Sequence, residues 1–372
     1  MAISIREVET RADRKEWVRF AFELYRDDPH WVPPIISDDH AYFDPDRNPA
    51  FEVNRARRFL AQSGGRTVGR VCASVNELEA GKLGHLRGRF GWFESIDDPE
   101  VAGRLLEAAR DWLRGQQCTE MTGPQGFTDL DPEGLLIEGF ERLPTISGSY
   151  NPPYYRQLLE GFGLTRDADY IEYRLRVPDE SPLLERLRKR YGGNDRYRVV
   201  TCRSRRELLG HAPAIWALLE AAFAPLYGVV PLTDTQREYY TRKYFNYLDP
   251  ELVKLPFSRE GELVGFFIGM PGLSRALQRA RGRLLPFGFL PILRDYRRPE
   301  TVEFLLAGVK PGEPSAIVTA VTLIDMYDTL RRRGVRFMET NRELEDNTTV
   351  NRIWLNFEQD YFRRSRVYRM PV

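Results

Sequence analysis

A mixed α/β fold, of the α+β type with mixed sheets and repeated in two tandem domains, is what this sequence predicts, on three observations. The chain has 372 residues, beyond the roughly 250 to 300 at which a single hydrophobic core stops growing. Strand-like alternating runs are interleaved with helices of clear amphipathic spacing. The order of these elements also recurs. In both halves a strand ends in a short loop, a helix closes on Gly115 or Gly334, a second strand follows, and a further helix opens with Asn151 or Asn347. Residue identity between the halves is slight, so the repeat is one of topology, which is the mark of a duplicated domain.

Along the first half, residues 3–7 alternate as a short strand, and Trp17, Phe20, Ala21 and Leu24 then fall at helical spacing. Residues 29–51, rich in proline and aromatics, read as an irregular segment docked on the core. Two alternating runs around Gly64-Gly65 predict a hairpin, and "GRFGWFES", residues 88–95, a further strand. The next helix is marked by Asp98 at its cap, Pro99 at its first position, Leu105, Ala109 and Trp112 on one face, and Gly115 at its end. A strand at 119–124, the Asn151-led helix in "SYNPPYYRQLLEGFGL" and a strand at 169–177 complete this half.

"PDESP", residues 178–182, is the expected boundary between domains spanning 1–177 and 183–372. The second half then reads as a strand at 197–202, helices around Trp216 and Tyr239-Tyr240, and a hairpin over 251–271. A strand at 301–309, a helix at 315–334, a strand at 335–341, an Asn347-led helix and a last strand at 363–370 follow.

Composition narrows the partners. Lysine and arginine number 55 against 54 acidic residues, so no whole-chain field would draw in nucleic acid. Cys72, Cys118 and Cys202 lie far apart, and His30, His40, His85 and His211 show no ligand spacing, so neither disulfides nor a metal is expected. The amino terminus alternates charge, and no run of about 18 apolar residues occurs, so a cytoplasmic protein is expected. Oligomeric state leaves no trace in the sequence.

The succession of strand, loop, helix, strand, Asn-led helix and strand resembles the GNAT acyltransferase core, carried here by "GELVGFFIGMP", by residues 306–347, and by "GRFGWFES" and "YNPPYY". The whole chain is thus similar to tandem GNAT proteins, in which an acyl-CoA lies in a V-shaped gap between two splayed central strands. Within them, the order of "DPHWVPP", "FGWFES" and "YNPPYY" is similar to a bacterial branch, the ceramide synthases, which implies a long-chain acyl-CoA and a sphingoid amine acceptor.

The resemblance also implies where the parts would sit. A helix start exposes unpaired N–H groups and partial positive charge, which suit a pyrophosphate. The R-x-x-G-x-G pattern usual in the family is absent: Ser315 and Ile317 stand where glycines are expected, and Asp97 and Asp98 put carboxylates on the equivalent turn of the first half. Ser315 and Ala316, with Asn151 and Asn347 at the openings of the later helices, are therefore the cofactor-binding candidates. The family's tyrosine seven residues after the helix-opening asparagine is missing, since those positions hold Leu158 and Trp354. Tyr154 and Tyr155 are the phenols nearest the gap, and Glu94 ends the strand that would line it, so Glu94, Tyr154 and Tyr155 are the catalytic candidates for moving the amine and thiol protons. Glu343 holds a comparable place in the second half and ranks below them.

Residues 274–298 hold seven arginines and one aspartate around "LLPFGFLPIL". That pattern suits peripheral contact with a membrane such as the inner membrane, or else a linker with its apolar run buried. Two functions stay open at this point: an N-acyltransferase acting on a small-molecule or lipid amine, or a degenerate GNAT fold kept as a binding or scaffold module, which the lost glycines and missing tyrosine would favour.

Overall fold

A computed structural model describes residues 2–372. In chain order the elements are β1 (Ile3–Glu7), α1 (Arg11–Leu24), α2 (Ile36–Tyr42), β2 (Asn54–Ser63), β3 (Arg66–Asn76), α3 (Glu77–Leu83), β4 (Arg87–Ser95), α4 (Pro99–Gly115), β5 (Glu120–Gly123), β6 (Leu135–Glu138), α5 (Tyr155–Gly161) and β7 (Thr165–Arg176). There follow α6 (Pro182–Tyr191), β8 (Tyr197–Val200), α7 (Arg205–Phe223), α8 (Asp234–Tyr244), β9 (Val253–Ser258), β10 (Gly265–Pro271), α9 (Ser274–Ala280), α10 (Phe289–Arg297), β11 (Thr301–Val309), α11 (Ser315–Arg332), β12 (Phe337–Thr340), β13 (Glu343–Leu344), α12 (Thr348–Trp354) and β14 (Gln359–Pro371). The fold is mixed α/β, and the chain divides into two compact units. Among the described residues, unit 1 holds 2–171, 274–292 and 363–372; unit 2 holds 172–273 and 293–362.

Unit 1 runs β1-β2-β3-β4 antiparallel, steps once in parallel to β5, and ends on β14, whose residues 368–371 pair antiparallel to β5 and 364–366 to β6. The β2–β3 hairpin forms because Gly64 and Gly65 take φ of 56° and 76°, which a two-residue turn matched to strand twist requires. Thr10 and Asp13 close α1 with a reciprocal capping box. Helix α4 starts where the sequence expects: Asp98 accepts from the amides of Glu100 and Val101, and Pro99 supplies the first turn. Its Leu105, Leu106, Ala109 and Leu113 are buried against Val71, Ala73, Phe90 and Met121.

Unit 2 repeats the plan. Strands β8-β9-β10-β11 are antiparallel, β11 steps in parallel to β12, and residues 174–176 of β7 pair antiparallel to β12. Helix α11 packs Val318, Leu323, Met326 and Leu330 inward. Each unit therefore fills its last sheet position with chain remote in sequence: 363–371 in unit 1 and 172–176 in unit 2.

Four local readings differ from the sequence expectation. The irregular segment 29–51 contains the seven-residue α2, and α3 follows the hairpin. At the end of the expected boundary, residues 178–182, Pro182 is already the first residue of α6, capped by Ser181. Residues 274–297 form α9 and α10. The helix expected to open with Asn151 begins at Tyr155, because Pro152 and Pro153 each disfavour helical backbone at the residue before them, Asn151 and Pro152.

Candidate functional site

In both units the central parallel pair parts soon after it forms. Strand β4 pairs with β5 over Arg87–Arg89 and Glu120–Thr122 only, and β11 pairs with β12 over Thr301–Phe304 and Phe337–Thr340 only. Just past each split the strand bulges. Register slips between Arg70 and Cys72 opposite β4, and between Ile268 and Gly269 opposite β11. Bulges bend a strand and re-aim its side chains. In β4 the bulge takes Trp92 to φ 47°, a conformation rare for an aromatic residue, and Trp92 lies 5.0 Å from both Phe43 and Phe127, ring to ring.

The two splits are filled differently. In unit 1 the Gln125 amide donates to Phe90 O across the gap at 2.8 Å. Further along β4, Ile96 N donates back toward β3, to Val68 O, so by strand alternation Ser95 turns its N–H and C=O to the parted edge. Both are occupied: Ser95 N donates to Tyr155 Oη at 2.8 Å, and Tyr154 Oη donates to Ser95 O at 2.7 Å. The helix start beyond is closed too, by the Asp98 carboxylate on two of its amides.

In unit 2 the side-chain amide of Asn341 reaches across, donating to Leu305 O at 2.7 Å, and beyond it Ala307 is exposed. Helix α11 begins after Pro314 with no side-chain cap, and Ser315 and Ala316 are exposed on its first turn. Lys310, which precedes that turn, is paired with Glu262. Glu313 accepts from Tyr197 Oη at 2.5 Å.

Glu94, Tyr154 and Tyr155 come together. Tyr155 Oη donates to Glu94 Oε2 at 2.8 Å, and Tyr25 Oη donates to the same oxygen. Arg70 stands 3.6 Å from Oε1 and donates to Trp17 O at 2.8 Å. The Glu94 side chain keeps 13 % exposure, and burial raises its carboxyl above the ordinary range, opposed by Arg70 and the two phenols. Burial also raises Tyr25 and Tyr155 well above the usual phenol, with the Glu94 charge adding to it. This is a carboxyl–phenol pair on β4 and α5, with a third phenol from α1. Tyr25 carries no mark in the sequence, because it lies 69 residues from Glu94, directly after the amphipathic run of α1. Tyr25 stacks on Trp31 at 5.1 Å.

The cofactor candidates are spread over both units. Asn151 is buried, accepting from Leu136 N at 2.7 Å and donating to Leu136 O and Pro152 O, so its amide clamps β6 to the start of α5. Asn347 caps α12, accepting from Val350 N. Beside it, Glu343 on β13 has its carboxyl pushed up to about 8 by burial, with the Trp354 indole opposing the shift. Trp354 is the residue found where the family's tyrosine was sought. It cannot supply a proton at neutral pH, but it sits against a carboxyl that can.

One cluster was not picked out from sequence. Cys202, Glu207 and His211 place ligand-type atoms within 4.8 Å of one another at the start of α7. Glu207 is already engaged as acceptor from Arg203 N at 2.7 Å, and burial pushes the Cys202 thiol up to about 11. The three cysteines are free and buried, and no helix among the described residues is long and apolar enough to cross a membrane.

No known protein-family profile matches the chain. It is 26 % identical over 378 residues to Protein YghO of Escherichia coli, covering 99 % of this chain and 95 % of that one. It is 26 % identical over 377 residues to the bacterial ceramide synthase of Caulobacter vibrioides, covering 98 % and 97 %. Among solved structures it superposes on a tandem GNAT protein from the clavulanic acid biosynthesis pathway with a TM-score of 0.56 at 15 % identity, covering 100 % of this chain and 98 % of that one. A GCN5-related N-acetyltransferase from Sphaerobacter thermophilus gives 0.51 at 14 % identity, with 99 % and 95 % covered. With one parted, bulged strand pair in each unit and end-to-end superposition on such proteins, the chain carries the tandem GNAT fold.

Proposed function

We propose that the protein is an acyl-CoA N-acyltransferase, and that it moves a long-chain acyl group onto a lipid amine of the sphingoid kind. The observation that carries the reading is the split in unit 2, where a strand edge, an uncapped helix start and a raised carboxyl lie in one unit. The thioester arm would run along β11 past Leu305, with its pyrophosphate on the amides of Ser315 and Ala316. The amine nitrogen attacks the thioester carbonyl, the C–S bond breaks, Glu343 hands its proton to the leaving thiolate, and the carboxylate so formed takes up the proton lost by the amine. A carboxyl pushed up to about 8 by burial suits this task, since a group that gives and takes a proton works best when its pKa lies near the working pH. The acceptor class rests on the name of the Caulobacter relative.

A second reading keeps the chemistry in unit 1, with Glu94 as base and Tyr155, assisted by Tyr154, as acid. The buried carboxyl–phenol pair favours it; the occupied Ser95 edge and the capped α4 start stand against it.

Thermal melting with acetyl-CoA, palmitoyl-CoA and free CoA tests the reading. Palmitoyl-CoA at 100 times its dissociation constant should add about 2.7 kcal/mol, and incubation with sphinganine should yield the amide by mass spectrometry. Glu343→Gln should then lower turnover about 10²-fold or more while Glu94→Gln lowers it less. The reverse order would move the chemistry to unit 1. No shift with any thioester and no amide would leave a binding module.

A further inference from the structure

We propose that residues 279–292 form a docking tip for an anionic phospholipid bilayer. The segment is apolar where it faces solvent: Leu285 is 79 % exposed and Phe287 71 %, and Leu284, Phe289 and Leu290 are exposed beside them. Isolated exposed apolar residues are common on any protein, but a contiguous set of five is not. Helix α10, which begins inside this set, buries none of its side chains.

The tip is held outward by structure rather than left loose. Phe289 N donates to Leu284 O at 2.9 Å and Leu290 N to Phe287 O at 3.1 Å, closing the loop on itself. A side chain at Gly288 would meet Arg283 O at 1.9 Å, so only glycine permits that closure. The base is tied down within unit 1: Gln278 Nε2 donates to Pro29 O at 2.7 Å, Ser274 Oγ to Pro144 O at 2.6 Å, and Ile36 N to Gly282 O at 3.0 Å.

Charge selects the partner. Arg279, Arg281 and Arg283 flank the tip with no carboxylate partner among the described residues. Arg281 and Arg283 also rim a cleft of about 860 Å³ that Lys15, Arg19 and His40 share, with Val18, Phe22 and Ile36 on its walls. Its one carboxylate, Glu16, is already engaged by Arg6 and Thr67. An apolar wedge ringed by unpaired guanidinium groups matches the depth profile of an anionic leaflet, with phosphates outside and acyl chains within. A protein partner for the same wedge would need an acidic rim of matching shape; a bilayer supplies both features without shape matching.

Cosedimentation with vesicles tests this independently of any acyl transfer. The full chain should sediment with phosphatidylcholine vesicles containing phosphatidylglycerol, weakly with phosphatidylcholine alone, and less in high salt. The double variant Leu285→Asp, Phe287→Asp should lose at least about tenfold in bound fraction, and Arg279→Gln, Arg283→Gln should lose the preference for phosphatidylglycerol. Both should melt as the parent does, since the changed side chains are exposed. No sedimentation of the parent with anionic vesicles would overturn the proposal. So would undiminished binding by the Asp variant, or a dimer in size-exclusion chromatography that the Asp variant abolishes, which would make a second copy the occupant.

Discussion

Burial raises the carboxyls of both Glu94 and Glu343, but their neighbours answer the shift differently. Glu94 has two phenol donors and Arg70 nearby, whereas Glu343 has only the Trp354 indole opposing the change. Glu343 should therefore leave a signature in stability against pH. Between its ordinary 4.5 and about 8, the folded state holds a proton that the unfolded chain has released, so stability falls as pH rises through that window. Glu343→Gln removes the penalty, and its melting advantage over the parent should grow from pH 5 to pH 8, reaching ~1 kcal/mol or more. A difference that stays flat with pH would mean the carboxyl is hydrated. Tyr155→Phe should cost ~1–3 kcal/mol in urea denaturation, since it strips a partner from both Glu94 and the buried Ser95 amide. Tyr154→Phe removes one acceptor's partner at a half-buried position and should cost less. The types of Glu94 and Tyr155 were legible from a strand end and a Pro-Pro helix start; Tyr25 was not, because nothing local distinguishes a phenol that meets a distant carboxyl from one that packs.

Two helices at equivalent places, α4 and α11, differ in their first turn, and on the proposed reading that difference favours unit 2 for the anion. Asp98 satisfies two of the α4 amides, so Asp98→Ala should cost ~1 kcal/mol of stability. On α11, Ala316→Asp would place a carboxylate on the open first turn. It should leave stability unchanged or slightly raised and weaken palmitoyl-CoA binding several-fold, by calorimetry. Unchanged affinity would remove the α11 start from the cofactor site. The contrast was partly legible, because Asp98-Pro99 is a strong start signal and "PGEPS" a weak one. Asn151 was read as a helix opener because asparagine serves equally as a cap and as a buried clamp; only the neighbouring Leu136 backbone tells them apart. The short α2 and α3 were passed over because seven residues carry under two turns of periodicity.

At the scale of the molecule, topology repeats faithfully while the covalent chain does not respect the repeat. Alternation marks 363–370 as a strand, but nothing in alternation names the partner, so its place beside β5 could not be read from sequence. In unit 1, Tyr368 and Met370 pair with Gly123 and Met121, Val367 and Tyr368 are wholly buried, and Arg366 forms two bonds with the buried Asp169, at 2.8 and 2.9 Å. Removing residues 363–372 would expose the β5 edge, open a void where Val367 and Tyr368 lay, and leave the Asp169 carboxylate with Arg166 in place of its bidentate Arg366 partner. The void alone should cost ~3–5 kcal/mol or more, and the loss of the two Arg366 bonds to Asp169 adds to it. Together these approach the ~5–15 kcal/mol that stabilises a whole domain. A chain ending at Phe362 should therefore lose unit 1, with β3, β4 and β5 amides exchanging freely in hydrogen-exchange mass spectrometry while β10, β11 and α11 of unit 2 stay protected. Retained protection of β4 and β5 would show that unit 1 closes without its last strand, and that the repeat folds as two halves of contiguous chain.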